Sequence, residues 1–374
     1  MVWTSLSVHP RSQKATLSMA TPRADSYSAT SGAAVHAGRF SQPTWLQGMP
    51  LNTWTEISGT SGAGGSAIDA YSGFCLKPSN SEIIIAAAGG HSDSSDNGVY
   101  SLRLSDNAPS WTTRRASSTP TADVLYYADG RPTSRHTYQH IHYIESIDSV
   151  LLSGCMFGFG GGTPTGPGMD LFDLQTNDWK AIYTYADIPS GGGYGIVQDG
   201  NACIWTSGGR KFDTATNTWT NPGASILRFP AAYDSSRNNV FSICWGDGMG
   251  ASVFLGLQAY KFNAATGTSS AITFNSSSAL TALIAAAPQY MAMDYEPTLD
   301  KFLLYHGGET GKVYTVTPNS GTVWDIDVLA TTGTPTATPA SGSGINKRFV
   351  YVPAYKGFVL LPQQSSNLYF LRTA

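Results

Sequence analysis

The chain has 374 residues, of which 41% are hydrophobic and only 13% charged, with 40 glycines and 20 prolines. It has apolar material for a large core but little of the Lys and Glu that favour helices, a balance that points to an all-β protein of short strands and tight turns. A formal net charge of −3 gives no basic field for nucleic acid; there is no run of about 18 apolar residues for membrane insertion, and the first residues are too polar for a signal-peptide core.

In chain order, residues 1–51 fit no strand pattern. They are rich in Ser, Ala, Thr and Gly with isolated aromatics (Trp3, Tyr27, Phe40, Trp45), and read as an extended N-terminal arm, mobile unless something pins it. NTWTEI (52–57) is a short strand centred on tryptophan. A four-strand unit then repeats: a strand ending in a turn, a very apolar strand ending in Gly-Gly or an equivalent, a strand with a central aromatic, and a tryptophan strand.

Unit one is AYSGFCL (70–76), EIIIAAAGG (82–90), GVYSLRL (98–104) and SWTTRR (110–115); unit two is RHTYQHIHYIE (135–145), SVLLSGC (149–155), GMDLFDL (168–174) and DWKAI (178–182). Unit three is short, spanning 192–222, and unit four runs from RFPAAYDS (228–235) to a degenerate fourth strand, SSAITF (269–274). Unit five covers QYMAMDYE (289–296) to VWDIDV (323–328). Unit six has RFVYVPAY (348–355), GFVLLPQ (357–363) and NLYFLRT (367–373), and no fourth strand. Pairing NTWTEI into unit six removes two unprotected sheet edges. The expected fold is a six-bladed β-propeller over 52–374, closed by an N-terminal strand and preceded by the arm 1–51.

Gly89-Gly90, Gly208-Gly209 and Gly307-Gly308 after second strands, with Trp111, Trp179, Trp219 and Trp324 downstream, resemble kelch or galactose-oxidase-like propellers. The resemblance covers roughly residues 52–374. These glycines and tryptophans also serve a plain structural purpose, as tight turns and core rings. The cysteines Cys75, Cys155, Cys203 and Cys244 have no metal or redox spacing and read as small core residues.

Strand-one starts and strand-two ends lie at one end of an antiparallel blade, so their residues share a face of the ring. That face would carry Arg135, Arg228 and Arg348 as a cradle for a carboxylate or sulfate, with His306 beside them. His91, His136, Tyr138 and Tyr305 are the candidates for proton exchange with a sugar ring. The competing use of the arginines is to pair with carboxylates and hold blades together, and that of His91 and His136 is a structural hydrogen bond. His140 and His142 read as structural. His91, His136 and Asp93 could face one metal, but no local ligand motif supports it, and no cysteine stands where it could crosslink a tyrosine beside Tyr305-His306, so neither metal nor cofactor is expected.

The arm and first unit, from ADSYSATSGAAVHAGRFSQPTWLQ to IIAAAGGHSDSSDN, resemble proteins encoded in tailed-bacteriophage and prophage genomes. The resemblance implies a virion-associated structural and binding protein, attached to virion or tail proteins by its arm, displaying the propeller to an anionic host glycan, and cytoplasmic until lysis. The alternative is a polysaccharide lyase cleaving uronic-acid glycans by β-elimination. SRHTY (134–138) and GGH (89–91) would supply it, with Arg135 on the carboxylate, His136 or His91 as base and Tyr138 or Tyr305 as acid.

Overall fold

The computed structural model describes residues 42–63, 67–189, 196–200, 203–206, 209–222, 230–245, 256–288, 290–338 and 344–374. Its strands form six sheets, antiparallel but for one added edge strand, arranged as a propeller. The chain enters through β1 (Trp54–Ile57) and builds blade one from β2 (Cys75–Lys77), β3 (Glu82–Ala86), β4 (Val99–Arg103) and β5 (Thr112–Arg115). Blade two is β6 (Ile141–Ile144), β7 (Ser149–Cys155), β8 (Gly166–Asp173) and β9 (Asp178–Trp179); blade three is β10 (Ile196–Gln198), β11 (Cys203–Thr206), β12 (Lys211–Asp213) and β13 (Thr218–Thr220). Blade four is β14 (Ala231–Asp234), β15 (Asn239–Trp245), β16 (Leu257–Asn263) and β17 (Ser269–Ala271).

The expected strand 269–274 is divided between two blades. After β17, β18 (Thr273–Phe274) leaves blade four and pairs in parallel with the outer strand of blade five. Blade five comprises β19 (Ala292–Glu296), β20 (Lys301–Tyr305), β21 (Val313–Thr317) and β22 (Val323–Leu329). A helix that the strand pattern does not anticipate, α1 (Ser278–Ala286), links the two, with Ser277 Oγ capping its N-terminus by accepting from Leu280 N. Blade six is β23 (Phe349–Val352), β24 (Gly357–Leu360) and β25 (Leu368–Arg372), with β1 as its outer strand, as expected.

Why the second strands are so apolar follows from strand geometry. Alternate side chains point to opposite faces, and each face of a blade meets a neighbour. Ile83 and Ile85 pack in the seam with blade six, while Ile84 and Ala86 pack in the seam with blade two. The same two-sided burial gives each of the six seams its own apolar cluster. Residues 42–51, read from the sequence as the end of the arm, join this core: Leu46 and Met49 are buried in the seam between blades six and one, and Trp45 packs edge-on against Tyr355 and Phe370. The rest of the expected arm, 1–41, lies outside the described residues.

Along the ring axis runs a cavity of about 450 Å³ with walls from all six blades, including Cys75, Tyr143, Val197, Tyr233, Asp294 and Lys347. Lys347, in its wall, extends past blade one to blade two, its Nζ donating to Ile141 O at 2.6 Å and contacting His142 Nδ1 at 3.3 Å.

Candidate functional site

His91, His136 and Tyr138 converge, as the shared-face argument expects. His136 Nε2 lies 3.0 Å from Asp93 Oδ2, and its Nδ1 lies 3.3 Å from the Tyr138 hydroxyl. His91 stacks on His136 at 6.0 Å. Three further rings, which the sequence reasoning missed, complete the cluster. Tyr71 lies 4.7 Å from His136, Phe157 lies 5.5 Å from it, and Tyr290 sits 5.2 Å from Tyr71 and 6.1 Å from Tyr138.

The backbone beneath this cluster is unusual. Tyr71, His91, Tyr138, Phe157 and Tyr290 come from five different turns, and all five have positive φ, between 41° and 51°. Bulky residues adopt this left-handed region at a cost, and such strain gathers where a side chain must be aimed. The turns are stitched to one another: Tyr138 N donates to Tyr71 O at 2.7 Å, His91 N to Phe157 O at 3.0 Å, and His136 N to Met156 O at 3.1 Å. Gly90 permits the approach. Its φ is 88°, and a Cβ there would lie 2.4 Å from Phe157 O and 2.5 Å from the Arg135 Cα.

Burial holds the His136 imidazole below its ordinary pKa, and the opposing pull of Asp93 does not restore it. The ring is therefore neutral at neutral pH. With Asp93 accepting at Nε2, the single ring proton belongs on that nitrogen, which leaves Nδ1 to accept from the Tyr138 hydroxyl. Asp93, with 44% of its side chain exposed, opens one end of this hydrogen-bonded chain to solvent. The arrangement can draw a proton from Tyr138 or return it. His136 and Tyr138 are themselves buried, at 6% and 4% exposure, so the flat apolar surface is offered by the half-buried rings of Tyr71, His91, Phe157 and Tyr290, with the Asp–His–Tyr chain behind them.

The expected anion cradle is not built by Arg135 and Arg348. Both side chains are enclosed, at 1% and 0% exposure. Arg135 pairs with Asp170 at 2.9 Å and donates to Gly154 O, and Arg348 pairs with Asp69 at 2.8 Å. A guanidinium buried this way needs those partners, and neither presents a face to a ligand. Arg228 lies outside the described residues.

Tyr305 and His306 also stand apart from the cluster. The Tyr305 ring is buried in the seam between blades five and six against Trp54 and Phe349, and its hydroxyl accepts from Gly311 N. A group so placed cannot serve as the expected acid. His306 Nε2 lies 3.0 Å from Glu309 Oε2, a carboxylate shared with Lys312 and Tyr314. His140 and His142 are buried, and burial pushes the first down to about 4 and the second well below its ordinary value. Among the described residues, no group of three His, Cys, Asp or Glu side chains is placed to share a metal ion, and no helix is long and apolar enough to cross a membrane.

The missed tyrosines had one local signal, a position at the start of a first strand in AYSGFCL and QYMAMDYE. Nothing in the sequence shows that blade five reaches blade one across the ring.

No family model matches the chain, and no curated protein matches it. Solved structures similar to it include YjhT, at 10% identity and a TM-score of 0.48, covering 84% of this chain and 98% of that one. The GH74 xyloglucanase from Xanthomonas campestris is 14% identical with a TM-score of 0.48, over 85% of this chain and 47% of that one. A copper-bound fungal alcohol oxidase of the AA5 family is 9% identical with a TM-score of 0.42, over 87% and 76% of the two chains. Likeness at this level carries no substrate, metal or site over to this chain.

Proposed function

We propose that the face formed by Tyr71, His91, Phe157 and Tyr290, backed by the buried His136 and Tyr138, binds a glycan, and that the chain is a virion-associated binding module displaying it. The observation that carries the glycan reading is the gathering of five left-handed residues, four of them Tyr or Phe, around one hydrogen-bonded Asp–His–Tyr chain. A sugar has apolar C–H faces that stack on aromatic rings and hydroxyls that exchange hydrogen bonds with imidazole, carboxylate and phenol. Asp93 brings an exposed carboxylate to this face, and the buried Arg135 and Arg348 are already paired with Asp170 and Asp69. That favours a neutral sugar over the anionic glycan expected from the sequence. The virion setting is supported by the sequence resemblance.

The relay supports a second reading, proton transfer at a bound sugar, with Tyr138 as the group that exchanges the proton and His136 as its partner. β-Elimination on a uronate also needs a cation on the carboxylate, and Arg135 and Arg348 do not provide one. One experiment separates these readings: an array of neutral and uronic-acid glycans, probed with the full chain and Tyr71→Ala, followed by incubation of each hit and analysis for cleaved or unsaturated product. Binding of neutral glycans, lost in Y71A and without product, supports the binding reading; no hit of either kind defeats it. Peptides of this chain in purified phage particles test the virion setting.

A further inference from the structure

Arg348 is wholly buried where blade six begins, yet its contacts lead to the aromatic site by two routes. The guanidinium donates to Asp69 Oδ1 at 2.8 Å, and Asp69 stands two residues before Tyr71. The same carboxylate accepts from Gln364 N at 3.0 Å and 3.1 Å, so the turn that presents Tyr71 is fastened to blade six from two sides. In the other direction, Arg348 donates through Nε to Ile345 O at 3.2 Å and through Nη2 to Gly344 O. The amides of Ile345 and Asn346, in that same turn, both donate to Tyr290 O, at 3.0 Å and 2.9 Å. The two routes meet where Tyr71 and Tyr290 pack edge to face.

We infer that Arg348 is a positioning residue for the glycan site, a clasp that holds Tyr71 and Tyr290 at the spacing a sugar ring would meet. This rests on the reading of that face as a binding site. Two physical points support it. Both tyrosines have left-handed backbone, φ 51° and 49°, which a bulky residue relinquishes unless its surroundings hold it. And a buried ion pair adds little net stability over well-packed apolar side chains, so the use of arginine here lies in its geometry. Its rigid fork addresses Asp69, Pro362 O, Ile345 O and Gly344 O together. A lysine has its three donors on a single nitrogen and cannot span these four acceptors.

Hydrogen exchange on the full chain tests this without any ligand. The reporters are the amide of Tyr138, which donates to Tyr71 O, and those of Ile345 and Asn346. In Arg348→Met all three should exchange about tenfold faster or more, while amides of the β7–β8 ladder keep their rates. Asp69→Asn should release Tyr138 and leave Ile345 and Asn346 protected; should R348M fail to fold, this variant carries the test. Arg237→Met, which breaks the Arg237 pairs with Asp234 and Asp300 elsewhere, should leave all three reporters unchanged. Uniform acceleration across every blade in R348M, or no acceleration at the reporters in either variant, overturns the inference. A calorimetric arm with cellohexaose then addresses the site: R348M should bind at least about tenfold more weakly than wild type, and R237M equally well. A wild type that binds neither cellohexaose nor any arrayed glycan, with the exchange pattern intact, defeats the glycan reading and leaves the clasp standing.

Discussion

Trp54 stands opposite Leu371 in the antiparallel pair that closes the ring, and its indole N–H donates to Gly311 O of blade five at 2.8 Å. A residue near the start of the propeller thus completes the sheet at its end and fills the seam before it. Removing residues 1–57 should abolish cooperative unfolding, because it strips β25 of its partner and empties the Trp54 site. Trp54→Ala alone should cost about 3–5 kcal/mol in denaturant titrations, the usual range for a buried large-to-small change. A 42–374 chain, which keeps Trp45 and Leu46, should melt with the full chain. If the 58–374 chain unfolds as cooperatively as the full one, the closure does not hold the ring.

Stability should fall on acidification because of the buried histidines. The pKa of His140 is lowered from 6.5 to about 4 by burial, and those of His136 and His142 are lowered as well. Between the folded and unfolded values the unfolded chain binds more protons, so stability is fully present above about pH 6.5 and is lost as the pH drops toward the folded values. His140 alone would account for about 3 kcal/mol across that window. His140→Asn should flatten the dependence of unfolding free energy on pH between roughly 4 and 6.5. An unchanged slope would show that His140 is not neutral and buried in solution.

The fold was more legible in the sequence than the site, for a physical reason. Strand alternation and the orphan NTWTEI are local patterns, and both faces of EIIIA had to be apolar because both meet neighbours. Arg348 does stand directly before β23, whereas Arg135 lies in isolated bridges six residues ahead of β6 rather than at the start of the expected 135–145 strand, and in neither case does position along the chain tell whether a guanidinium turns outward or pairs with Asp170 or Asp69. Likewise His91, His136 and Tyr138 could be grouped because blades one and two adjoin. Tyr290 escaped because its place beside Tyr71 depends on closure of the whole ring.

Arg135 should behave as a structural residue. Arg135→Met leaves Asp170, 7% exposed, without its cation, and breaking a buried pair from one side costs about 3–5 kcal/mol. The melting temperature should drop while the affinity for any arrayed glycan, measured below that temperature, stays within about twofold. A variant that melts normally and loses glycan binding would restore the guanidinium to the ligand.

The relay at His136 makes a sharper claim about a single proton. Burial lowers the imidazole pKa and Asp93 raises it, so Asp93→Asn should lower it further, because a neutral amide no longer favours the imidazolium. Nitrogen-15 spectra should show wild-type His136 neutral at pH 7 with its proton on Nε2, since Asp93 Oδ2 accepts there at 3.0 Å. Tyr138→Phe should leave that tautomer and the fold intact, because Asp93 still accepts at Nε2 and the phenyl ring keeps its packing on Tyr290. If the chain turns over a glycan, Y138F should abolish turnover and retain binding, whereas Tyr71→Ala should weaken binding first. A proton found on Nδ1 would point the Tyr138 hydroxyl away from His136 as donor, and proton exchange through Tyr138 would then have no base to receive it.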